Sequence, residues 1–196
     1  MECLNPIWLT ETSDQAGQYI ECSKCFNCLQ KKRAIWTFRM MNENKTAESG
    51  YFITLTYDGD NLPYVDQWNW SVPSLWKPDL TNFIKRLRQN IKKYAIQDSR
   101  WFKENANSKI RYFACGEYGK KGDRPHYHLI LWNLPDYFVD LDPIHNKLYS
   151  ELIEETWQKG LVDIGKVTQA SCHYVAKYTL DPLLTQWHEQ DNRVKA

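Results

Sequence analysis

Residues 109–133 read KIRYFACGEYGKKGDRPHYHLILWN, and this stretch decides the fold. Its two flanks, 109–117 and 126–133, are rich in aromatic and aliphatic residues, which is typical of strands. The segment between them, 118–125, contains two glycines and a proline and predicts a turn. The stretch therefore predicts an antiparallel hairpin at the centre of a β-sheet.

Two histidines in the second strand of this hairpin form a candidate metal site. Side chains alternate between the faces of a strand, so His126 and His128 share one face and Tyr127 takes the other. If Glu117 stands opposite His126 across the turn, a two-histidine, one-carboxylate set with open positions results, which suits Mn²⁺, Mg²⁺ or another divalent ion. A His-x-His pair alone is more often two hydrogen-bonded histidines, and the facing carboxylate favours the metal site.

The remaining elements predict an α+β fold, with a central antiparallel sheet of about five strands and flanking helices. A long segment rich in proline and tryptophan, 58–76, is expected to be a functional loop. The other predicted elements are a helix over 29–41, a strand over 51–57, a helix from Lys77, a helix over about 145–159, a strand over 161–167 and a helix from a Thr168 cap to about Leu180.

Composition bounds the class of protein. A chain of 196 residues with 14% aromatic residues is one globular domain rather than a disordered chain. It has no apolar run of the roughly 18–20 residues that a membrane span needs, and no secretory signal is recognisable at its start. We therefore expect a reducing compartment, in which the six cysteines are thiols or metal ligands rather than disulfides.

The net charge of +1 at first argues against a nucleic-acid-binding protein. However, residues 77–124 carry 13 Lys and Arg against 5 Asp and Glu, a net of +8, and the remainder carries 12 against 19, a net of −7. The small total is a cancellation. It predicts a polarised surface, with the positive side at the active-site face.

Tyr174 and Tyr178 are four residues apart on a predicted helix and so share a face, with Lys177 close to both. Two tyrosines at this spacing are more often half-buried core residues. A phenol is a weak nucleophile unless another group assists it. A metal that polarises a phosphate, with Lys177 neutralising charge, would let a tyrosine attack a phosphodiester and retain the bond energy as phosphotyrosine.

Cysteines at positions 22, 25 and 28 form a tight thiolate set that can bind tetrahedral zinc with one further cysteine. Cys3 is the predicted fourth ligand because it lies in the same loop-rich segment. An iron–sulfur cluster and the absence of any metal are the alternatives. Cys115 and Cys172 are left over, and packing is their expected role.

Four motifs occur in one order along the chain: FITLTYD, FACGEYG, RPHYHLILW and YVAKY. Together they resemble the replication initiators of small single-stranded DNA phages, closest to the gokushovirus-like microviruses, within the HUH endonucleases. Tyr127 is then the bulky residue between the two histidines. The resemblance supports Cys3 as a zinc ligand and implies a cysteine-rich arm over 1–30, packed on an endonuclease domain over 31–196 with an RNA-recognition-like sheet.

The resemblance implies a rolling-circle initiator that nicks the origin strand, becomes linked to the 5′ phosphate through tyrosine and later rejoins the strand. Its metal ligands map to Glu117, His126 and His128, and its nucleophiles to Tyr174 and Tyr178. Related phage sequences often carry a lysine pair where this chain has Asp181-Pro182. The implied partners are single-stranded DNA at an origin and host proteins such as helicase and polymerase, in the cytoplasm of a bacterial host and without a membrane.

Basic residues in the hairpin turn, Lys120, Lys121 and Arg124, are the predicted phosphate contacts because they border the metal site. The lysines and arginines over 85–93 and three tryptophans, Trp68, Trp70 and Trp76, are weaker candidates that also fit a solvated helix face and a covered sheet edge. Three other functions stay open: a zinc-stabilised single-strand-binding protein without catalysis, a hydrolytic metallo-phosphodiesterase, and a plasmid or transposon enzyme with the same chemistry.

Overall fold

A computed structural model of the chain describes residues 2–10, 16–67, 70–97, 109–119 and 124–180. A six-stranded sheet, in which every described pairing is antiparallel, separates two layers of helices. The helices are α1 (Phe26–Thr46), α2 (Lys77–Gln97), α3 (Glu151–Trp157) and α4 (Gln169–Leu180).

The sheet has the order β6-β7-β3-β10-β9-β8, and two separate hairpins, β1-β2 and β4-β5, lie outside it. The strands are β1 (Ile7–Leu9), β2 (Gln18–Ile20), β3 (Gly50–Thr56), β4 (Tyr64–Gln67), β5 (Trp70–Pro73), β6 (Arg111–Tyr118), β7 (Pro125–Trp132), β8 (Asp140–Asp142), β9 (Lys147–Tyr149) and β10 (Val162–Lys166).

The predicted hairpin is confirmed as β6-β7, with Glu117 paired to His126 and Cys115 paired to His128. β7 also pairs with β3, so its backbone is bonded on both edges. Because both strands alternate, one face of the sheet carries aliphatic side chains such as Leu129, and the opposite face carries the two histidines.

Each face of the sheet has its own hydrophobic core. On one side, Phe83, Ile84 and Leu87 of α2 pack with Trp157 of α3 against the aliphatic face. On the other side, α1 and α4 pack against β6 and β7 around Met40, Ile130 and Val175. The cations of α2 therefore lie in the layer opposite the histidines, and the prediction that they add to a positive active-site face is wrong.

The sheet has six strands rather than five, because the predicted helix over 145–159 is in part a strand. Residues 147–149 form β9, which pairs with β8 and, through Leu148, with Ile164 of β10. The helix begins only after Ser150, whose hydroxyl accepts a hydrogen bond from the backbone N–H of Ile153 at 3.3 Å. This N-cap ends the strand and begins α3.

The segment over 58–76 is not irregular throughout, since it contains the β4-β5 hairpin. The Thr168 cap is confirmed: its hydroxyl accepts from the backbone N–H of Ser171 at 3.1 Å, and the Ser171 hydroxyl accepts in turn from the N–H of Thr168. Among the helices of the described ranges, none is long and apolar enough to cross a bilayer.

Candidate metal centre and tyrosine site

The three predicted ligands meet at the end of the β6-β7 hairpin. The register places Glu117 opposite His126, and the alternation brings His128 to the same face. One ligand atom from each side chain lies within 4.8 Å of the other two. Oε2 of Glu117 is 2.9 Å from Nε2 of His128 and 4.0 Å from Nε2 of His126. The sequence prediction that these residues converge is confirmed.

Thr54 orients His128, and the sequence reasoning missed this residue. Its hydroxyl lies 3.0 Å from Nδ1 of His128 across the β3-β7 pair. A proton on Nδ1, donated to Thr54, leaves the lone pair of Nε2 directed at the carboxylate. The alternation of FITLTYD would have placed Thr54 on the histidine face, had its register with β7 been known.

The Nε2 atom of His128 is a buried polar atom that lacks a hydrogen bond within the described part of the chain. It is close to Glu117 but not aligned with it as a hydrogen bond requires, although His128 is only 6% exposed. A buried lone pair of this kind is costly unless it has a partner. Two imidazoles and a carboxylate fit a divalent cation.

Burial lowers the pKa of both His126 and His128, and the charge of Glu117 acts in the opposite direction. Both rings are therefore neutral near neutral pH, which is the form that binds metals. Phe52 stacks on His128 with ring centroids 5.7 Å apart. Cys115 lies beside this site, and burial raises the pKa of its thiol to about 12, in keeping with a packing role.

Helix α4 brings the two tyrosines to the same carboxylate. The hydroxyl of Tyr174 donates to Oε2 of Glu117 at 2.5 Å, and the Tyr174 ring packs edge-on to His128 at 5.1 Å. Tyr178 follows one turn later, with its ring centroid 4.8 Å from that of Tyr174. Lys177 is exposed, and its ammonium lies 5.2 Å from the ring centroid of Tyr178.

Burial, and then the hydrogen bond to Glu117, raises the pKa of Tyr174 well above that of a free phenol. The same two influences raise the pKa of Tyr178. A carboxylate beside a phenol opposes the formation of a second negative charge. Both tyrosines are therefore protonated in this state of the site.

A second cluster lies in the N-terminal arm, where the sulfurs of Cys3, Cys22, Cys25 and Cys28 all lie within 4.8 Å of one another. Sγ of Cys3 is 3.9 Å from Sγ of Cys25, and Sγ of Cys22 is 4.0 Å from Sγ of Cys28. Tetrahedral zinc with Zn–S bonds of about 2.3 Å separates its sulfurs by roughly 3.8 Å. The four predicted cysteines thus come together at the separation that zinc requires.

Backbone N–H groups surround this cluster. Those of Cys28 and then Leu4 lower the pKa of Cys25 to about 6, whereas burial raises the pKa of Cys28 to about 12. The N–H of Cys22 also donates to Sγ of Cys3 at 3.3 Å. Thiolate-directed N–H groups are a usual feature of cysteine metal sites. Cys172 is apart from the cluster, buried against Met41 with a sulfur–sulfur distance of 3.7 Å.

The predicted phosphate contacts are only partly visible. Arg124 is exposed at the start of β7, and its carbonyl accepts from the N–H of Gly119 at 2.9 Å to close the hairpin. Lys120 and Lys121 lie outside the described residues, as does Trp68, and the described part of Trp70 is its backbone. On α2, Arg86 donates to the carbonyl of Thr156 and is a packing residue.

A family model described as replication-associated protein ORF2 matches residues 50–182. This chain belongs to that family. The match runs from β3 past α4, so it includes the three candidate ligands and both tyrosines. The cysteine cluster precedes the matched residues.

Three curated phage proteins, each described as replication-associated, are similar to the chain. Replication-associated protein ORF2 of Spiroplasma virus 4 is 32% identical over 84% of this chain and 48% of its own length. VP4 of Bdellovibrio phage phiMH2K is 30% identical over 87% and 50%, and ORF4 of Chlamydia phage 1 is 29% identical over 81% and 37%. The resemblance to microvirus replication proteins is therefore confirmed.

The chain spans about half the length, or less, of these curated relatives. No solved structure matches it. The family assignment thus rests on sequence, and the arrangement of the ligands and tyrosines rests on the structure described above.

Proposed function

We propose that this replication-associated protein is a metal-dependent endonuclease that nicks single-stranded DNA at a replication origin and begins rolling-circle replication. One observation supports this above the rest. A single carboxylate oxygen of Glu117 lies 2.5 Å from the Tyr174 hydroxyl and 2.9 Å from Nε2 of His128. A potential nucleophile and a set of metal ligands thus meet at one atom, as tyrosine-dependent cleavage of a phosphodiester requires.

The proposed reaction is a transesterification. The Tyr174 oxygen forms a bond to the phosphorus of the scissile phosphate, and the bond from phosphorus to the 3′ oxygen breaks. The proton of the phenol leaves to a base or water, and the released 3′ oxygen gains one. The products are a 5′-phosphotyrosine and a free 3′ hydroxyl. Attack by a 3′ hydroxyl on the phosphotyrosine reverses these steps and rejoins a strand.

Glu117, His126 and His128 are the side chains that would hold the divalent ion, Mn²⁺ or Mg²⁺. Bound there, the ion would supply Lewis-acid polarisation of the scissile phosphate. Thr54 holds the His128 ring, and Phe52 packs on its face, so the ligands are oriented before substrate arrives. Such preorganisation lowers the cost of assembling the reactive geometry.

The hydrogen bond to Glu117 stores the phenol proton until substrate is present. In that state the raised pKa of Tyr174 keeps the hydroxyl neutral and protects it from unproductive reaction. Glu117 also aims the hydroxyl at the space between the two histidines. Tyr174 is accordingly the proposed first nucleophile. Tyr178, with Lys177 over its ring, is the proposed second one.

The test is formation of a covalent adduct. The chain is incubated with a random-sequence library of single-stranded oligonucleotides and Mn²⁺, and complexes that survive SDS are isolated and mapped by peptide mass. We expect adducts on Tyr174, loss of most adduct in Tyr174→Phe and retention of adduct in Tyr178→Phe. Tyr149→Phe, an exposed tyrosine on β9, is the matched control and should react as the unchanged chain does.

Two other outcomes would contradict the proposal. Cleavage that leaves a free 5′ phosphate and no adduct would indicate attack by water, as in a hydrolytic phosphodiesterase. Salt-sensitive binding without cleavage in any divalent ion would indicate a single-strand-binding protein without catalysis. Adduct that persists in the Tyr174→Phe/Tyr178→Phe variant would mean that the nucleophile is another residue.

We further propose that Cys3, Cys22, Cys25 and Cys28 hold a structural zinc ion. The support is the near-tetrahedral separation of the sulfurs, together with N–H groups that favour thiolates. Metal analysis should give about one zinc per chain, and Cys22→Ser should release it. Cys172→Ser, at a buried cysteine outside the cluster, should retain the zinc. Visible charge-transfer absorption from iron in the purified chain would contradict zinc.

A further inference from the structure

A cleft of about 480 Å³ lies at the end of the β6-β7 hairpin remote from Glu117, between α1, the start of β6 and α2. Trp132 at the end of β7 is among its walls, six residues along the strand from His126. At about 3.3 Å per residue, the cleft lies roughly 20 Å from the candidate metal centre. Its volume is in the range of small-molecule sites, roughly 300–1,000 Å³.

Two arginine–aromatic pairs border this cleft from opposite sides. On α1, the guanidinium carbon of Arg39 is 4.9 Å from the ring centroid of Trp36. On the other side, that of Arg88 in α2 is 6.0 Å from the ring centroid of Tyr112 in β6. Tyr112 is 41% exposed, and Trp36 is half-buried. Each pair thus offers an aromatic face beside a cation.

Trp132 supplies an independent observation. Its side chain is 4% exposed, and its Nε1 is buried without a hydrogen-bond partner among the described residues. An indole N–H can only donate. Buried donors in native proteins almost always have an acceptor. A ligand in this cleft that carries acceptor atoms would supply the missing partner.

The charge of the cleft also favours an anion. Arg39, Arg88 and Arg111 contribute +3, and Glu43 contributes −1, which gives a net of +2. The carboxylate of Glu43 is 2.5 Å from Arg111, within ion-pair distance but not aligned as a hydrogen bond. Arg39 lies outside this pair, and Arg88 donates to the carbonyl of Ile110. An aromatic, anionic ligand with acceptors at its edge matches all three features.

We propose that this cleft binds a nucleotide of the single-stranded DNA that reaches the tyrosine site. A base stacks on Trp36 or Tyr112, its phosphate contacts the arginines, and an acceptor on the base receives the Trp132 N–H. Grooves that bind single strands combine cations with stacking aromatics in this way. The inference rests on the proposed function, because it names where the bound strand continues beyond the cleavage site.

The test is binding of a fluorescein-labelled single-stranded oligonucleotide of about 12 nucleotides, within the roughly 4–16 that one compact domain covers. Calcium replaces manganese to prevent cleavage, and anisotropy is measured over a series of salt concentrations. Trp36→Leu should weaken binding roughly tenfold or more, the effect of losing one base stack. Arg39→Gln should reduce the slope of log affinity against log salt by about 0.7, the loss of one phosphate contact.

Lys147→Gln is the matched control. It removes one exposed cation from β9, three strands beyond β7 in the sheet, and should leave both affinity and slope unchanged. Trp132→Phe keeps the packing but removes the donor, and should weaken binding by a smaller factor. Urea unfolding of each variant separates loss of a contact from loss of the fold.

The outcomes distinguish the two proposals. If the unchanged chain binds no single strand and forms no adduct, the proposed function fails. If it binds and forms adduct, but the Trp36, Arg39 and Trp132 variants all bind as the control does, the cleft inference alone is wrong. Deoxynucleoside triphosphates that quench tryptophan fluorescence in the cleft without competing with the oligonucleotide would also overturn it, since the cleft would then serve free nucleotides.

Discussion

At the scale of single residues, the orientation of His128 depends on a hydroxyl two strands away from Glu117. Thr54 lies in β3, directly opposite His128, and bonds its Nδ1 at 3.0 Å. The two ring nitrogens of a histidine are chemically distinct, and a hydrogen bond at one sets the role of the other. Thr54 therefore determines that Nε2 presents its lone pair to the site.

Thr54→Val should weaken Mn²⁺ binding about 10- to 100-fold, the usual effect of removing a group that orients a metal ligand. The valine keeps the β-branched shape but leaves Nδ1 without its partner. Isothermal titration with Mn²⁺ measures the effect. Thr54→Ser, which keeps the hydroxyl, should restore the affinity, and equal binding by the valine and serine variants would contradict the role of Thr54.

At the scale of elements, the turn from α3 to β10 depends on one glycine. Gly160 has a φ of +137°, and a Cβ there would lie 2.3 Å from the backbone nitrogen of Asp58 and 2.3 Å from the backbone oxygen of Thr56. The backbone of this turn thus packs directly on the end of β3, where the N–H of Asp58 donates to the carbonyl of Lys159 at 2.8 Å. No L side chain fits that space.

Gly160→Ala should lower the free energy of unfolding by about 1–3 kcal/mol or more, because the alanine is strained in this φ region and clashes with backbone. Gly59→Ala is the control, since a Cβ there would meet nothing within 4 Å. Its unfolding free energy should change by less than about 1 kcal/mol. Urea denaturation of both variants gives the comparison, and equal stabilities would refute the close approach.

At the scale of the whole molecule, helices cover both faces of the sheet, so its central strand is buried on both sides. Adjacent residues of β7 face different cores: Leu129 packs beneath α2, and Ile130 packs beneath α1 and α4. Both are fully buried. The tyrosines of α4 reach Glu117 because the second helical layer holds α4 on the histidine face.

Leu129→Ala and Ile130→Ala should each destabilise the protein by about 2–5 kcal/mol, the range for deleting a buried aliphatic side chain. A sheet with helices on only one face would show this loss at one position alone. Leu161→Ala, at a residue that is 73% exposed, should change stability by about 0.5 kcal/mol or less. Chemical denaturation monitored by circular dichroism tests all three variants.

Much of this architecture follows from local sequence. Period-two alternation identified the β6-β7 hairpin, the shared face of His126 and His128, and the register that brings Glu117 opposite them. Spacing identified the cysteine set and the tyrosine pair of α4. Short elements were the failures: β8 and β9 are three residues each, and so small a strand has too little pattern to distinguish it from the start of a helix.

The sequence by itself therefore determined which residues lie on which face of each element, because side-chain direction is a local property of a strand or helix. Only the tertiary structure decided that Thr54 supports His128, that Tyr174 rather than Tyr178 donates to Glu117, and that the cations of α2 lie in the opposite layer. Those facts depend on strand order and helix packing between residues far apart in the chain, which no local periodicity encodes.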